Sequence, residues 1–448
     1  MISRRCIRWL AACAVALVWI AAQADAWADD VEAFTLDTGA RVVVRRERGD
    51  PSVAVCVFVR TQVGDDARVP GAREVVARSL FGSSAYLPAE SVHREIDLAG
   101  GSLEIRCEPD FVVITCMTTA GAFDDAFYVI SQALKNARMD EETLRRSVSQ
   151  AEADIRARER SPYETAYAVA RETMYSTSSY RSPFAAAASL PLRVTQGAAL
   201  DFFRRFYTPA RTVVSVVGDI DVGEVRRILS VQLAAYDRRQ PDGAGMLSPA
   251  SPELLDAPLH ARRLAPVATA LVMCAYPGPG LRHRDYAAFC VLGAIIGGGK
   301  GSRLFRRVRD LGALGYEVGA ETPPLALESH LVAHVEYDPE RPGAAGKPAS
   351  IGEVERTVND VVRSVLTEAP TEAELTRARR YLVGQDLLAH QRVRDRAFHL
   401  GWYESVGLGY EFDADWPRAI EAVSGEDVNR VARAYLTNGV TVTIQPRK

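Results

Sequence analysis

Histidine and cysteine, the usual builders of metal and redox sites, are sparse: 7 of each in 448 residues. Cys6 and Cys13 fall in an N-terminal leader, which leaves Cys56, Cys107, Cys116, Cys274 and Cys290. An odd number without C-x-x-C spacing excludes both a disulfide framework and a metal knuckle. Cys56 in VAVCVFV and Cys274 in ALVMCAY lie in apolar, strand-like runs and read as small buried hydrophobes. Cys107 and Cys116 flank a Pro-Asp turn, so one pairing across a hairpin stays open. An excess of one charge is also missing. Lys plus Arg is 54 against 57 for Asp plus Glu, with no long basic run, which excludes the electrostatic footprint of a nucleic-acid binder.

No apolar run reaches the roughly 20 residues that a membrane-spanning helix needs. Trp9 to Ala22 is apolar but shorter than that; it follows Arg4, Arg5 and Arg8, and small residues at Ala24, Ala26 and Ala28 offer cleavage positions. This pattern is a secretory signal, expected over residues 1–28, with a periplasmic or exterior destination. Leu10-Ala11-Ala12-Cys13 resembles a lipoprotein cleavage site, but the main apolar run follows Cys13 rather than preceding it. A phosphate loop is absent too. In GAIIGGGKGS the positions of the required Gly and Ser/Thr are Ala294 and Gly301.

What is present is a globular composition, 48% hydrophobic and 25% charged, in a chain long enough for about two to four domains. A Pro/Gly/Ser-rich stretch, QPDGAGMLSPASP, marks a linker over residues 240–256, between units at 29–239 and 257–448. Each unit runs from β-branched segments through a short helix and strand pairs to an amphipathic helix. Phe123, Phe127, Ile130 and Leu134 recur at helical spacing, as do Val354, Val358, Val361 and Val365. MDEETLRRSV matches PTEAELTRARRYL, with Leu144 falling on Leu375. VTQGAALDFFRRFYTPARTVVSVVGD matches VSGEDVNRVARAYLTNGVTVTIQP, with Tyr207 set on Tyr435. The expected fold is α+β: two tandem homologous domains, each an antiparallel sheet with helices on one face. His330 and His334 stand four apart in ESHLVAHVEY, whose alternation is that of a strand. Strand spacing puts them about 13 Å apart, too far for one metal, and they read as solvent-facing.

Several segments together resemble the pitrilysin/insulinase family of zinc peptidases, in its shorter bacterial and mitochondrial-processing form. FFRRFYTPARTVVSVVGDIDVGEVRRIL is similar to the end of that family's first domain, and GGGKGSRLFRRVRDLGALGYEVGAE to its glycine-rich segment with a following Arg and Tyr. The family's chemistry rests on H-x-x-E-H in the first helix: two His ligands one turn apart, a Glu general base between them, and a further Glu about 80 residues on. Here the matching helix is GAREVVARSLFGSS. Its Leu80-Phe81 ending sets Glu74 and Arg78 on the His positions and Ala77 on the base, and Asp154 falls at the third ligand. A guanidinium has no lone pair to offer, and a methyl group takes no proton. The ordinary reading of Glu74 and Arg78 is an i, i+4 helix ion pair.

By the same resemblance Arg309 and Tyr316, in VRDLGALGY, take the places of the pair that reaches the scissile carbonyl or its oxyanion. Gly297, Gly298 and Gly299 take the place of a substrate-contacting loop. The expectation is a non-catalytic subunit without a cofactor of its own. A homologous H-x-x-E-H partner would carry the zinc, and the substrate would be a peptide. A peptide-binding or structural protein that keeps only the fold is the second expectation, and a self-sufficient zinc endopeptidase the third.

Overall fold

A computed structural model describes residues 30–61, 69–82, 84–176, 178, 180–181, 191–236, 252–311, 315, 317–342 and 347–447. The leader and most of the expected linker lie outside these residues. The first half comprises β1 (Asp30–Thr35), β2 (Arg41–Arg46), β3 (Ser52–Arg60), α1 (Ala72–Ser79), α2 (Ala89–Leu98), β4 (Ser102–Cys107), β5 (Phe111–Thr119), α3 (Phe123–Asn136), α4 (Glu141–Arg158), α5 (Pro162–Met174), α6 (Gln196–Phe206), β6 (Thr212–Gly218) and α7 (Val222–Gln232). The second comprises β7 (Leu259–Ala265), β8 (Ala270–Pro279), α8 (Tyr286–Gly297), β9 (Glu317–Glu321), β10 (Glu328–Tyr337), α9 (Ile351–Thr367), α10 (Glu372–Ala389), α11 (Val393–Ser405), α12 (Phe412–Ala422), α13 (Gly425–Tyr435) and β11 (Val440–Pro446). Among the described residues no helix is long and apolar enough to cross a membrane.

The two sheets share one topology. Their orders are β1-β2-β6-β3-β5-β4 and β7-β11-β8-β10-β9, the same sequence of strands with β1 added at one edge. Both are antiparallel apart from one corresponding pair in each, β2 with β6 and β7 with β11, which run parallel. That exception follows from chain order: β6 and β11 return to the sheet only after the helices, and such a crossover permits parallel pairing. Helix starts repeat as well. Asp140 caps α4 through Thr143 N, and Thr371 with Glu374 forms a capping box on α10, in the register that sets Leu144 on Leu375. Thr195 and Ser424 likewise cap α6 and α13. Counted from these two caps, Phe206 rather than its neighbour Tyr207 corresponds to Tyr435.

Within each half the sheet carries its own helices on one face, and the other half covers the second. The first half's own helices cover one side of its sheet, where Val53, Val55, Val57 and Val59 of β3 pack. The alternate residues Ala54, Cys56 and Phe58 join the core of the second half through α11. In return α5, from the first half, lays Ala166, Ala170 and Met174 on Leu271, Met273, Val442 and Ile444 of the second sheet. Each half thus lends the other a helix, so every residue from Val53 to Val59 is buried. Sequence alternation within one half cannot show a cover supplied by the other. The exchange is pinned by charge: Arg396 of α11 holds Glu47 at 2.5 Å, and Glu404 holds Arg41 at 2.7 Å. The buried Asp110 carboxylate also joins the halves, accepting from Tyr180 Oη at 2.6 Å and Ala326 N at 3.0 Å.

The exchange corrects one expectation. His330 and His334 are buried, at 0% and 4% exposure, because β10 lies inside the sheet and α5 covers it. His330 sits between Tyr175 Oη at 2.7 Å and Tyr167 Oη at 2.9 Å, and burial pushes its imidazole down to about 3, so it stays neutral. The hairpin register sets Cys107 opposite Val112 and Cys116 opposite Leu103, so the two thiols do not face each other and both are free. Cys56 and Cys274 are buried as expected, as are the apolar stripes of α3 and α9.

Gly401 lets α11 approach the first sheet closely: a Cβ there would meet Phe58 Cε2 at 2.3 Å and Ser215 Cβ at 2.7 Å. At Gly384 in α10 a Cβ would meet nothing within 4 Å. Helix propensity alone favours Ala over Gly by about 1 kcal/mol at either place. Gly384→Ala is therefore expected to raise the urea midpoint. Gly401→Ala is expected to lower it, because overpacking of about 1–3 kcal/mol outweighs the helical gain.

Candidate functional site

The segment GAREVVARSLFGSS forms α1, which opens behind Gly71 in the left-handed conformation at φ 87° and packs against α4 and α6. Val75, Val76 and Ala77 face the core, and Ala77 is wholly buried. Arg73 is buried beside them, its Nε donating to Thr61 Oγ1 at 3.0 Å and its Nη2 to Phe111 O at 3.2 Å. The Ser79 and Ser147 hydroxyls, 2.9 Å apart, tie α1 to α4. These contacts fix the helix face that carries Glu74 and Arg78.

Arg78 does not pair with Glu74 inside its own helix. Its Nη2 donates to Asp154 Oδ2 of α4 at 2.5 Å. Two positions 76 residues apart, each matched by sequence to a metal ligand, are thus brought into direct contact. A guanidinium and a carboxylate meet where an imidazole and a carboxylate would otherwise surround a cation. Glu74 lies beside Cys107. Burial, and then the Glu74 carboxylate, push that thiol up, so it stays protonated. Tyr207 packs close by. Burial holds its phenol proton, and its hydroxyl has no hydrogen-bond partner among the described residues. No sequence pattern points to Cys107 or Tyr207, since one comes from a hairpin and the other from a helix end. Arg73 does carry a signal, a cation on an otherwise apolar helix face.

The donor chemistry can be weighed directly. A catalytic zinc takes about three protein donors and keeps an open position. Of the four matched positions only Glu74 and Asp154 carry ligating atoms, and Asp154 is engaged by Arg78. Among the described residues no group of three or more His, Cys, Asp or Glu could hold a metal ion. The residues present do not fit a catalytic zinc.

In the second half, Arg309 falls in a π-helical turn over Arg306–Leu311. Its side chain and Tyr316 lie outside the described residues. Tyr316 immediately precedes β9, and Glu321 at the end of β9 accepts from Tyr163 Oη at 2.9 Å in the first turn of α5. The strand that follows Tyr316 is therefore tied to the helix that follows α4 and its Asp154. The three glycines divide. Gly297 and Gly298 are buried, and only Gly299, at φ 73°, is exposed. A Cβ on Gly297 would meet Ala320 N at 2.3 Å, so this glycine lets α8 approach β9. Arg377 donates to Gly298 O at 2.7 Å and Ala294 O at 2.9 Å and fastens the helix end. An exposed loop of all three is not what the chain forms.

The family description "Insulinase (Peptidase family M16)" matches residues 41–187, and "Peptidase M16 inactive domain" matches residues 193–382. An uncharacterized zinc protease of Mycobacterium tuberculosis is 28% identical over 412 residues, covering 90% of each chain. One of Bacillus subtilis is 18% identical, covering 92% of this chain and 98% of its own. Among solved structures, a peptidase M16 inactive domain from Pseudomonas fluorescens superposes with a TM-score of 0.81 at 20% identity, covering 94% of this chain and 98% of its own. A protease from Helicobacter pylori gives 0.83 at 18% identity, covering 93% and 100%. With both halves matched, the same fold recovered and the ligand positions in contact, the chain belongs to the insulinase (M16) peptidase family, with the zinc motif of that family replaced.

Proposed function

We propose that this chain is a non-catalytic subunit of a two-chain zinc peptidase, exported by its leader and paired with a homologous H-x-x-E-H subunit. The observation that carries the reading is the Arg78–Asp154 contact at 2.5 Å. Here the ligand positions still meet, but as an ion pair that needs no metal. The partner's zinc supplies the Lewis acid and the activated water. This chain contributes Arg309 and Tyr316 as donors to the developing oxyanion, and Gly299 with its neighbours as part of the wall against which a peptide lies. Fixed donors aimed at developing negative charge are among the strongest contributions a site makes.

Two outcomes follow. If the four positions are the family's metal site, Glu74→His, Ala77→Glu and Arg78→His combined restore two imidazoles and a base beside Asp154. That variant is expected to bind about one zinc per chain by metal analysis; no zinc gained would break the assignment of these positions. If the chain serves a partner, mixing it with an H-x-x-E-H homologue from the same organism raises peptide cleavage above the homologue alone. Arg309→Ala is expected to cut that gain by about 10²–10³-fold, the usual cost of one oxyanion donor. An unchanged rate in both mixtures would refute the helper role.

A further inference from the structure

At the turn from α10 to α11 the rings of His390 and His399 lie 4.1 Å apart, centroid to centroid, with their planes 31° from parallel. The first proton of this pair has a defined place. His390 Nδ1 faces Asp386 O at 2.7 Å and Nε2 faces Asp413 Oδ1 at 2.8 Å. Both ring nitrogens thus point at acceptors, an arrangement only the imidazolium satisfies fully. His399 has no such support. Its Nδ1 faces Asp395 O at 2.8 Å, and its ring lies among Phe398, Trp402 and Tyr403.

The charges around the pair do not favour a second proton. Asp386 faces it from α10 and Asp413 from α12, both engaged by His390. On α11, Asp395 is paired with Arg394 at 3.4 Å. Arg106 of β4 and Arg392 line a cavity of about 430 Å³ that His399 also borders. Tyr403 brings a buried phenol whose proton burial holds in place. The turn is coupled to the exchanged helix through one residue. Arg396 donates to His390 O and Gln391 O, each at 3.0 Å, while its Nε and Nη2 hold Glu47 of the first half.

We propose that His390 and His399 form a one-proton latch, which a second proton forces apart as the pH falls, loosening the seat of α11 on the first sheet. The sign follows from the two rings. Burial opposes charge on His390, but Asp413 and Asp386 outweigh it and hold the imidazole above its ordinary value, so its contribution persists below that value. Burial and then the charge on His390 hold His399 below its ordinary value, so it is neutral while the latch is closed. An opened turn lets His399 take a proton near the usual imidazole value of about 6.5. Opening is therefore favoured increasingly as the pH falls below about 6.5.

The test is hydrogen exchange of the full mature chain at pH 7.5 and 5.5, corrected for intrinsic rates, with α7 as internal control. Amides of α11 are expected to open up to about tenfold more often at the lower pH, the limit set by the one unit between pH 5.5 and the opened imidazole's value of about 6.5. In His399→Gln the increase is expected to vanish while α7 stays protected. An equal increase in that variant, or none in the parent chain, would overturn the latch. Asp413→Asn removes the counter-ion of the first proton and is expected to raise α11 opening already at pH 7.5; unchanged protection there would also overturn it.

Discussion

The central strands of each sheet are buried on both faces, and neither half can achieve that alone. α11 covers the far side of the first sheet and α5 the far side of the second. Removing either helix would expose a row of β-branched and aromatic side chains to water, at about 25 cal/mol for each Å² of apolar surface. The halves are thus linked by mutual cover more than by the linker between them, and the ion pairs of Arg41 and Arg396 fix the register of that cover. The same constraint places the site. α5 continues the path of α4, which carries Asp154, and its first turn touches the strand that begins after Tyr316.

Within this frame the altered metal site has a physical logic. Glu74, Arg78 and Asp154 occupy places where a cation could have drawn α1 and α4 together. With the donors changed, a guanidinium supplies positive charge at the same place, so the helices keep their approach. Both side chains are partly exposed, so the pair contributes no more than about 1 kcal/mol to stability. Its importance lies in position. Cys107 and Tyr207 lie near Glu74 as protonated, desolvated groups.

Much of the fold was legible because its signals are local. The repeat that sets Leu144 on Leu375 reappears as α4 and α10, and again as α5 and α11, because caps and apolar periodicity travel with the sequence. Helix stripes such as Val354 to Val365 identified their buried faces for the same reason. What escaped is long-range. Alternation in ESHLVAHVEY reveals a strand but not the helix laid over it, so the strand alone suggests solvent for His330 and His334. The i, i+4 spacing of Glu74 and Arg78 suggests a local pair, where a carboxylate 76 residues away prevails. The three glycines look like one loop in the sequence, although two of them serve close packing of α8 on β9.

The central claim is that the family's ligand positions persist here as an ion pair and hold no metal. Zinc content of the purified chain after equilibration with zinc, measured against protein concentration, tests it most directly. The account predicts far less than one zinc per chain, unchanged by Asp154→Asn. Stoichiometric zinc that disappears on Asp154→Asn would contradict it.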